Sequence, residues 1–302
     1  MKLVSIGIPT YKTNIKKFKE TIKSIFSQDY KNLEIIISEN YPNNKSLENY
    51  IYKLKKNFNK IYYYKQKNFI SQVANWDFVI NKFNGTYGMI LGDDDKISKN
   101  YIKTSVKIFK NDSKIYGVSS KWFHIFPNNT SSLSGGPTYS YMQDNHILRI
   151  SKYLFNHNDV FVNALMRTKL VQKVGFKKNI KNYWWPNNKN IANAFTQFLL
   201  ICLVYGKGSH NPDGTYYHTS IAWPRNRSKI NLYDFFIEII KGNLRYFNLF
   251  INFFIILSKK NLYFMPIYLI IVLSAFIKNI IKINRKNFIK IKRFIFQHEN
   301  LY

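Results

Sequence analysis

The sequence predicts an α/β fold, a mainly parallel sheet with helices on both faces, followed by a helical C-terminal segment of different character. Over the first 110 positions, apolar runs of strand length alternate with amphipathic stretches of helical length. The connections are short, as crossovers between parallel strands require. Beyond position 231 the character changes, with long uncharged apolar stretches set beside basic runs.

LVSIGI at 3–8 alternates and stops at Pro9, which marks a first strand. Ile15, Phe18, Ile22, Ile25 and Phe26 repeat at helical spacing, so 15–27 is a helix. LEIIIS at 33–38 is a continuous apolar run and a buried strand; 46–58 is a second amphipathic helix. Residues 61–64 form a strand, 71–83 a helix, and 87–91 a strand halted by Gly92 and three aspartates. This βα unit covers 1–110. The next part, 111–230, holds strand-like stretches at 117–126 and 161–166, a polar loop at 127–137 and an apolar helix at 192–204.

The third part, 231–302, combines YFNLFINFFIIL at 246–257 with the uncharged LYFMPIYLIIVLSAFI at 262–277. Apolar residues at 277, 281, 288, 291 and 295 then step by threes and fours between Lys278, Lys282, Arg285, Lys290, Lys292 and Arg293. That is a basic amphipathic helix. Pro266 and lysines on both sides of the uncharged stretch disfavour a single membrane crossing. A helical hairpin in one leaflet followed by a helix on the headgroups satisfies length, proline and charge; a buried helical subdomain is the other reading.

The net charge of +30 points to an anionic partner, but 39 of the 46 basic residues are Lys. Lys, Asn, Ile, Tyr and Phe are the residues written by A/T-rich codons, so part of the charge reflects composition. Only seven Arg are present, whereas phosphate and base recognition favours the bidentate guanidinium, so nucleic acid is not the expected partner. From 225 to 302 there are 14 basic residues against three acidic, a local +11 interleaved with the most apolar stretches, which points to an anionic membrane surface. A single cysteine, Cys202, excludes an intrachain disulfide scaffold. The N-terminus MKLVSIGIPTYK has no signal-peptide core, so a cytoplasmic protein is expected.

In parallel α/β sheets, ligands bind beyond the carboxyl ends of the strands. The polar residues there are Pro9, Thr10, Tyr11 and Lys12, then Ser38, Glu39 and Asn40, then Asp93, Asp94 and Asp95. Glu39 is placed to accept hydrogen bonds from a ribose or base edge, Tyr11 to stack on a base, and Lys12 to meet a phosphate. Three adjacent carboxylates repel, and a hard divalent cation relieves the repulsion. The alternative is a solvated turn leading into a helix capped by Ser98.

SIGIPTYK at 5–12, SIFSQDYKNLEIIISEN at 24–40 and NFISQVANWDFVINKFNGTYGMILGDDD at 68–95 resemble the N-terminal half of the family 2 glycosyltransferases, which have the GT-A fold. The resemblance spans about 1–110 and implies an inverting transfer from a nucleotide-sugar, most simply a UDP-sugar, assisted by Mn²⁺ or Mg²⁺. It assigns 1–110 to donor binding and 111–230 to acceptor binding. Pro9, Thr10, Tyr11 and Glu39 match nucleoside-binding positions, and Lys12 and Asn68 are counted with the donor-binding residues. Asp93, Asp94 and Asp95 match the D-x-D element, with Asp95 and Asp93 toward the metal. His218 resembles a late histidine that touches the metal or the diphosphate.

There are three departures from the family pattern. Glu39 replaces the usual Asp, Ile70 stands where a glycine is common, and no acidic residue lies between Asp159 and Asp213, where the family supplies its general base. Asp159, His210 and Asp213 are the remaining base candidates, and Trp184 and Trp185 either floor an acceptor sugar or pack. With the basic, apolar tail, the expected protein is a bacterial transferase on the cytoplasmic face of the inner membrane. Its acceptor would be a lipid-linked glycan of the lipopolysaccharide, capsule or undecaprenyl-diphosphate type. A non-catalytic sugar-nucleotide or glycan-binding relative is the alternative.

Overall fold

Strand β1 (Val4–Thr10) is central to the first half because both its neighbours pair with it in parallel: β2 (Leu33–Glu39) on one side and β4 (Tyr87–Ile90) on the other. The computed structural model describes residues 1–40, 44–126, 130–133, 140–155, 159–176 and 191–219, with scattered positions of one helix between 266 and 281. Strand β3 (Ile61–Lys65) extends the parallel set beyond β2. The crossovers are α1 (Ile15–Phe26), α2 (Lys45–Asn57) and α3 (Gln72–Asn81).

Each crossover helix starts at a capping side chain. Asn14 accepts from the Lys16 and Lys17 amides at 3.0 and 3.3 Å, Asn44 from the Leu47 amide at 3.1 Å, and Ser71 from the Ala74 amide at 3.2 Å. The apolar stripes predicted from spacing face the sheet: Phe18, Ile22 and Ile25 on α1, and Leu47 and Ile51 on α2, are buried. On the other face α3 lies so close that a Cβ at Gly7 would collide with Val79, and Phe83, just past the end of α3, leaves no room for one at Gly88.

The sheet continues through shorter pieces. After β5 (Lys96–Ile97) and α4 (Tyr101–Asn111) come β6 (Ile115–Ile125), β7 (Ser131–Leu133) and α5 (His146–Phe155). A 3₁₀ turn (Asp159–Asn163), β8 (Leu165–Arg167), α6 (Thr168–Val174), α7 (Ile191–Tyr205) and β9 (Lys207–Thr219) follow. The order is β3-β2-β1-β4-β8-β6-β9-β5, with β7 antiparallel to β6. β8 is antiparallel to both β4 and β6, so β6 runs parallel to β4, and β9 runs parallel to β6. The sheet is therefore mixed. The carboxyl ends of β1, β2, β4, β6 and β9 all lie at one edge.

The chain divides into two compact units. The first comprises Met1–Ile150, Asn158–Ile180 and Asn187–Trp223 and contains the sheet; the second comprises Ser151–His157, Lys181–Pro186 and Pro224–Tyr302. Trp184, Trp185, residues 246–257 and the basic segment beyond 281 lie outside the described residues.

The second half departs from expectation in three places. The stretch expected as a strand at 161–166 is a 3₁₀ turn that becomes strand only at Leu165. The loop expected at 127–137 contains β7, whose three residues are all exposed. Strand β9 was hidden because Asn211-Pro212-Asp213-Gly214 reads as a turn. It is a bulge: Ser120 pairs with Asn211 and Lys121 with Thr215, so the residues between loop out while the strand continues. Fully buried Asn211 holds the bulge by accepting from the Asp213 and Gly214 amides, both at 3.0 Å. It also donates to Thr104 Oγ1 at 2.7 Å and Ser105 Oγ at 2.9 Å on α4.

Asn211→Ala strands these buried partners, and the expected loss of about 2–4 kcal/mol is read as a lowered urea midpoint. An unchanged midpoint would show that the bulge holds itself without this side chain.

Candidate functional site

The carboxyl ends of β1, β2 and β4 gather the polar residues singled out in the sequence. At the end of β2, Glu39 is buried; its carboxylate accepts from the Tyr63 hydroxyl on β3 and from the Asn44 amide at 3.3 Å. Burial, then the hydrogen bond and charge of Glu39, push the Tyr63 phenol well up. Next to it Asn40 brackets Ile70, donating to its carbonyl at 2.7 Å and accepting from its amide at 2.9 Å. Ile70 therefore needs no glycine geometry, because a side chain fixes the loop.

Thr10 is buried and turns its hydroxyl to the Ser38 carbonyl at 3.4 Å, while Pro9 pairs in register with Ser38. Tyr11 is 49% exposed and Phe69, beside exposed Asn68, is 66% exposed; their rings meet with centroids 5.5 Å apart. Lys12 takes φ = 49°, a left-handed conformation that side-chain-bearing residues seldom adopt, and its ammonium lies 5.5 Å from the Tyr11 centroid.

The three aspartates are held from different directions. Asp93 accepts from the Thr13 hydroxyl of the β1–α1 loop, and Asp94 lies 3.9 Å from Lys17 Nζ on α1. Asp95 is buried and held by β9. Its Oδ2 accepts from the Tyr216 hydroxyl at 2.6 Å, and its Oδ1 accepts from the Thr219 amide at 2.9 Å and lies 3.0 Å from His218 Nδ1. Tyr216 in turn accepts from Asn163 Nδ2 at 2.6 Å, which ties the 3₁₀ turn to the cluster. Gly92 lets the Asp95 carboxylate fold back, since a Cβ there would collide with it. Ser98 is no helix cap: its hydroxyl accepts from the Thr215 amide at 3.0 Å and donates to Asn100 at 2.9 Å, and Asn100 is the residue at the N-cap of α4.

The electrostatics follow from this crowding. Burial, with Asp94 and Asp95 adding and Thr13 opposing, pushes the Asp93 carboxyl up to about 6. Burial and Asp95 raise Asp94 against Lys17 and His218. Burial works against a charged His218, but the Asp95 hydrogen bond and the Asp95 and Asp94 charges outweigh it and raise its pKa.

The base candidates are dispersed. His210 pairs with Ser119 and His218 with His124, five residues apart along β6; because side chains alternate, His210 faces the opposite side of the sheet. Both of its ring nitrogens are buried without a hydrogen-bond partner, and burial followed by Lys121 lowers its pKa. Asp213 belongs to the β9 bulge, where its carbonyl accepts from Asn100 at 3.0 Å. Asp159 opens the 3₁₀ turn whose last residue, Asn163, reaches Tyr216.

The profile of glycosyl transferase family 2 matches residues 5–175, more than half of the chain. The chain belongs to glycosyl transferase family 2. A search of curated proteins finds no significant match. Among solved structures it is similar to Staphylococcus aureus TarS 1–349, with a TM-score of 0.56 at 15% identity over 72% of this chain and 60% of that one. It is also similar to S. aureus TarS, at 0.53 and 17% over 82% and 40%. GalNAc-T7, crystallised with UDP, GalNAc and Mn²⁺, follows at 0.52 and 13% over 73% and 44%. These likenesses establish the shared fold, consistent with GT-A, and the chain spans 60% or less of each relative's length.

Family 2 membership raises the question of a divalent cation. Among the described residues no three His, Cys, Asp or Glu side chains form a ready-made metal cage. The donor set still fits Mn²⁺ or Mg²⁺: crowded carboxylates with raised pKa values, one imidazole beside Asp95, and Asp93 and Asp94 part-exposed. Such ions are commonly held by one or two carboxylates plus substrate phosphates. Sequence reasoning missed Tyr63, Asn163, Tyr216 and His124. The i, i+2 spacing of Tyr216 and His218 within one strand was the available signal, and the turn-like bulge concealed it.

The pKa of Asp93 yields a prediction for metal-free protein. Its folded pKa of about 6 lies above the ordinary 3.8, so the folded state binds more protons between these values and stability falls as pH rises through them. Asp93→Asn therefore stabilises the chelator-treated protein by about 1–2 kcal/mol at pH 8, after allowing for water's access, and the gain vanishes towards pH 4. Thermal melts across this range check it.

Proposed function

We propose that the chain transfers a sugar, with inversion, from a nucleoside-diphosphate sugar to a glycan acceptor on a lipid carrier, with Mn²⁺ or Mg²⁺ assisting. The observation that carries this is the juxtaposition at one sheet edge of the 93–95 carboxylates with the exposed Tyr11–Phe69 pair. In this reading the aromatic pair receives the base, a pyrimidine such as uracil, and Lys12 meets the diphosphate. Glu39 and Asn40 shape the floor of the nucleoside pocket, and Asn68 lies at its rim.

Asp93 and Asp94 face the cation, with Asp95 and His218 fixed behind them. The bound cation would neutralise charge on the leaving diphosphate. Inversion also needs a base at the acceptor hydroxyl. Asp159 opens the 3₁₀ turn that Asn163 and Tyr216 tie to the cluster, whereas on β9 His210 faces the opposite side of the sheet and Asp213 sits in the bulge.

A second reading, a sugar-nucleotide-binding relative without turnover, is motivated by the absence of any acidic residue between Asp159 and Asp213. Donor-panel turnover with lipid-linked acceptors separates the two, since only the transferase releases nucleoside diphosphate in an acceptor-dependent manner.

Calorimetry tests the site itself. UDP is expected to bind with Mn²⁺ at least about tenfold more tightly than without it, because the phosphates complete the ion's shell. Tyr11→Ala and Phe69→Ala should each weaken binding about 5- to 30-fold by loss of stacking, and the double variant Asp93→Ala, Asp94→Ala should abolish the metal dependence. Metal-independent binding, or none with any nucleoside diphosphate, would overturn the proposal.

A further inference from the structure

In the second compact unit, one helix presents large aliphatic side chains to solvent. Ile267, Leu269, Ile270, Leu273, Ile277 and Ile281 are between 41% and 64% exposed. At about 100° per residue they fall within an arc of about 160° on one side of the helix. Lys278 stands at the edge of that arc; its ammonium donates to the Phe155 carbonyl at 3.3 Å and lies 5.1 Å from the Phe155 ring centroid. The contact pins the helix edge to the end of α5 within the same unit, which leaves the aliphatic arc outward.

An exposed continuous aliphatic face marks an interaction surface, and the sequence around it indicates the partner. Lys259 and Lys260 precede the helix, and Lys282, Arg285, Lys286, Lys290, Lys292 and Arg293 follow it; beyond Glu238 the one acidic residue is Glu299. A second copy of this chain would bring the same positive flanks and be repelled. Nucleic acid would satisfy the charge and leave the aliphatic arc in water. An anionic bilayer satisfies both, with acyl chains for the arc and headgroups for the flanks. Positions 267–281 span about 22 Å at 1.5 Å per residue, and no helix among the described residues is long and apolar enough to cross a membrane.

We propose that this helix lies in the plane of an anionic lipid surface, with Ile267, Ile270, Leu273, Ile277 and Ile281 in the acyl boundary and the flanking lysines and arginines on the headgroups. The proposal does not depend on the transferase reading.

Flotation of the full chain tests it, using vesicles of phosphatidylcholine alone and of phosphatidylcholine mixed with phosphatidylglycerol. The chain is expected to float with the mixed vesicles, less so as salt is raised, and at least about tenfold less with the neutral ones. The double variant Ile270→Asp, Ile277→Asp should lose about tenfold or more in partitioning to the mixed vesicles, with its thermal melt and nucleotide binding unchanged. As a second arm that leaves the helix face intact, Lys282→Glu with Arg285→Glu should remove the salt-dependent part of binding. Wild-type protein that stays with the pellet, or a double variant that floats like wild type, would overturn the proposal. So would a dimer by light scattering that the Asp variants dissolve without altering flotation, which would make the face a contact between copies.

Discussion

The buried Asp95 carboxylate, gripped by β9, is the constraint on which the rest of the site depends. Asp95 follows the first parallel set of strands, whereas Tyr216, His218 and Thr219 end the last long strand. A buried carboxylate must be fully hydrogen-bonded, and each charge-assisted bond contributes about 1.5–3 kcal/mol. Three contacts from one strand therefore fix the register of β9 at its carboxyl end. That register sets the bulge at Asn211 and brings β5 against Tyr216 and Tyr217. The Asn163–Tyr216 bond extends the same constraint to the 3₁₀ turn, and with it to Asp159.

Once Asp95 is fixed behind, Asp93 and Asp94 are forced forward into a space shared with its charge. Thr13 and Lys17 relieve part of the repulsion, and burial first, with the neighbouring carboxylates adding, keeps the pKa values of Asp93 and Asp94 raised. The site is thus poor in protein ligands and rich in negative charge. A cation that brings its own phosphate oxygens suits it better than one that needs a complete protein cage. The exposed Tyr11–Phe69 pair lies at the same edge, with Tyr11 in the loop whose Thr13 bonds Asp93.

The elements up to residue 91 were legible because local signals agree there, whereas the two-residue β5 and the start of α4 were not. In α1, the apolar spacing at Phe18, Ile22 and Ile25 agrees with the Asn14 cap, and the strand–helix alternation agrees with short connections. β9 was illegible because its strand character comes from partners, not composition: a buried asparagine and a proline-containing bulge contradict the local pattern. The 161–166 stretch failed for the opposite reason, since an apolar run of that length suits a buried turn as well as a strand. At the site, the aspartates, Tyr11 and His218 were readable as types, whereas the engagement of Glu39 by Tyr63 and the facing of His210 away from the cluster are matters of register. The tail's basic and apolar pattern was readable, but that Ile270 and Ile277 point outward is information only the fold supplies.

The net charge can now be divided by what it does. Buried Lys207 holds Asp112 and Asp144 at 3.0 and 2.8 Å, while other acids of the first unit pair at the surface, Glu48 with Lys65 at 2.6 Å and Glu20 with Lys96 at 3.1 Å. Exposed pairs of this kind contribute little to stability, so the excess of lysine acts mainly as a field. A field of that sign repels a free divalent cation and attracts a diphosphate, within the Debye length of about 8 Å at physiological salt. Under the proposed function, three carboxylates set in a positive surround would favour an ion that arrives already bound to phosphate, as a net anion. Beyond residue 225 the same sign of charge alternates with aliphatic residues, and that different arrangement is the basis of the lipid contact proposed above.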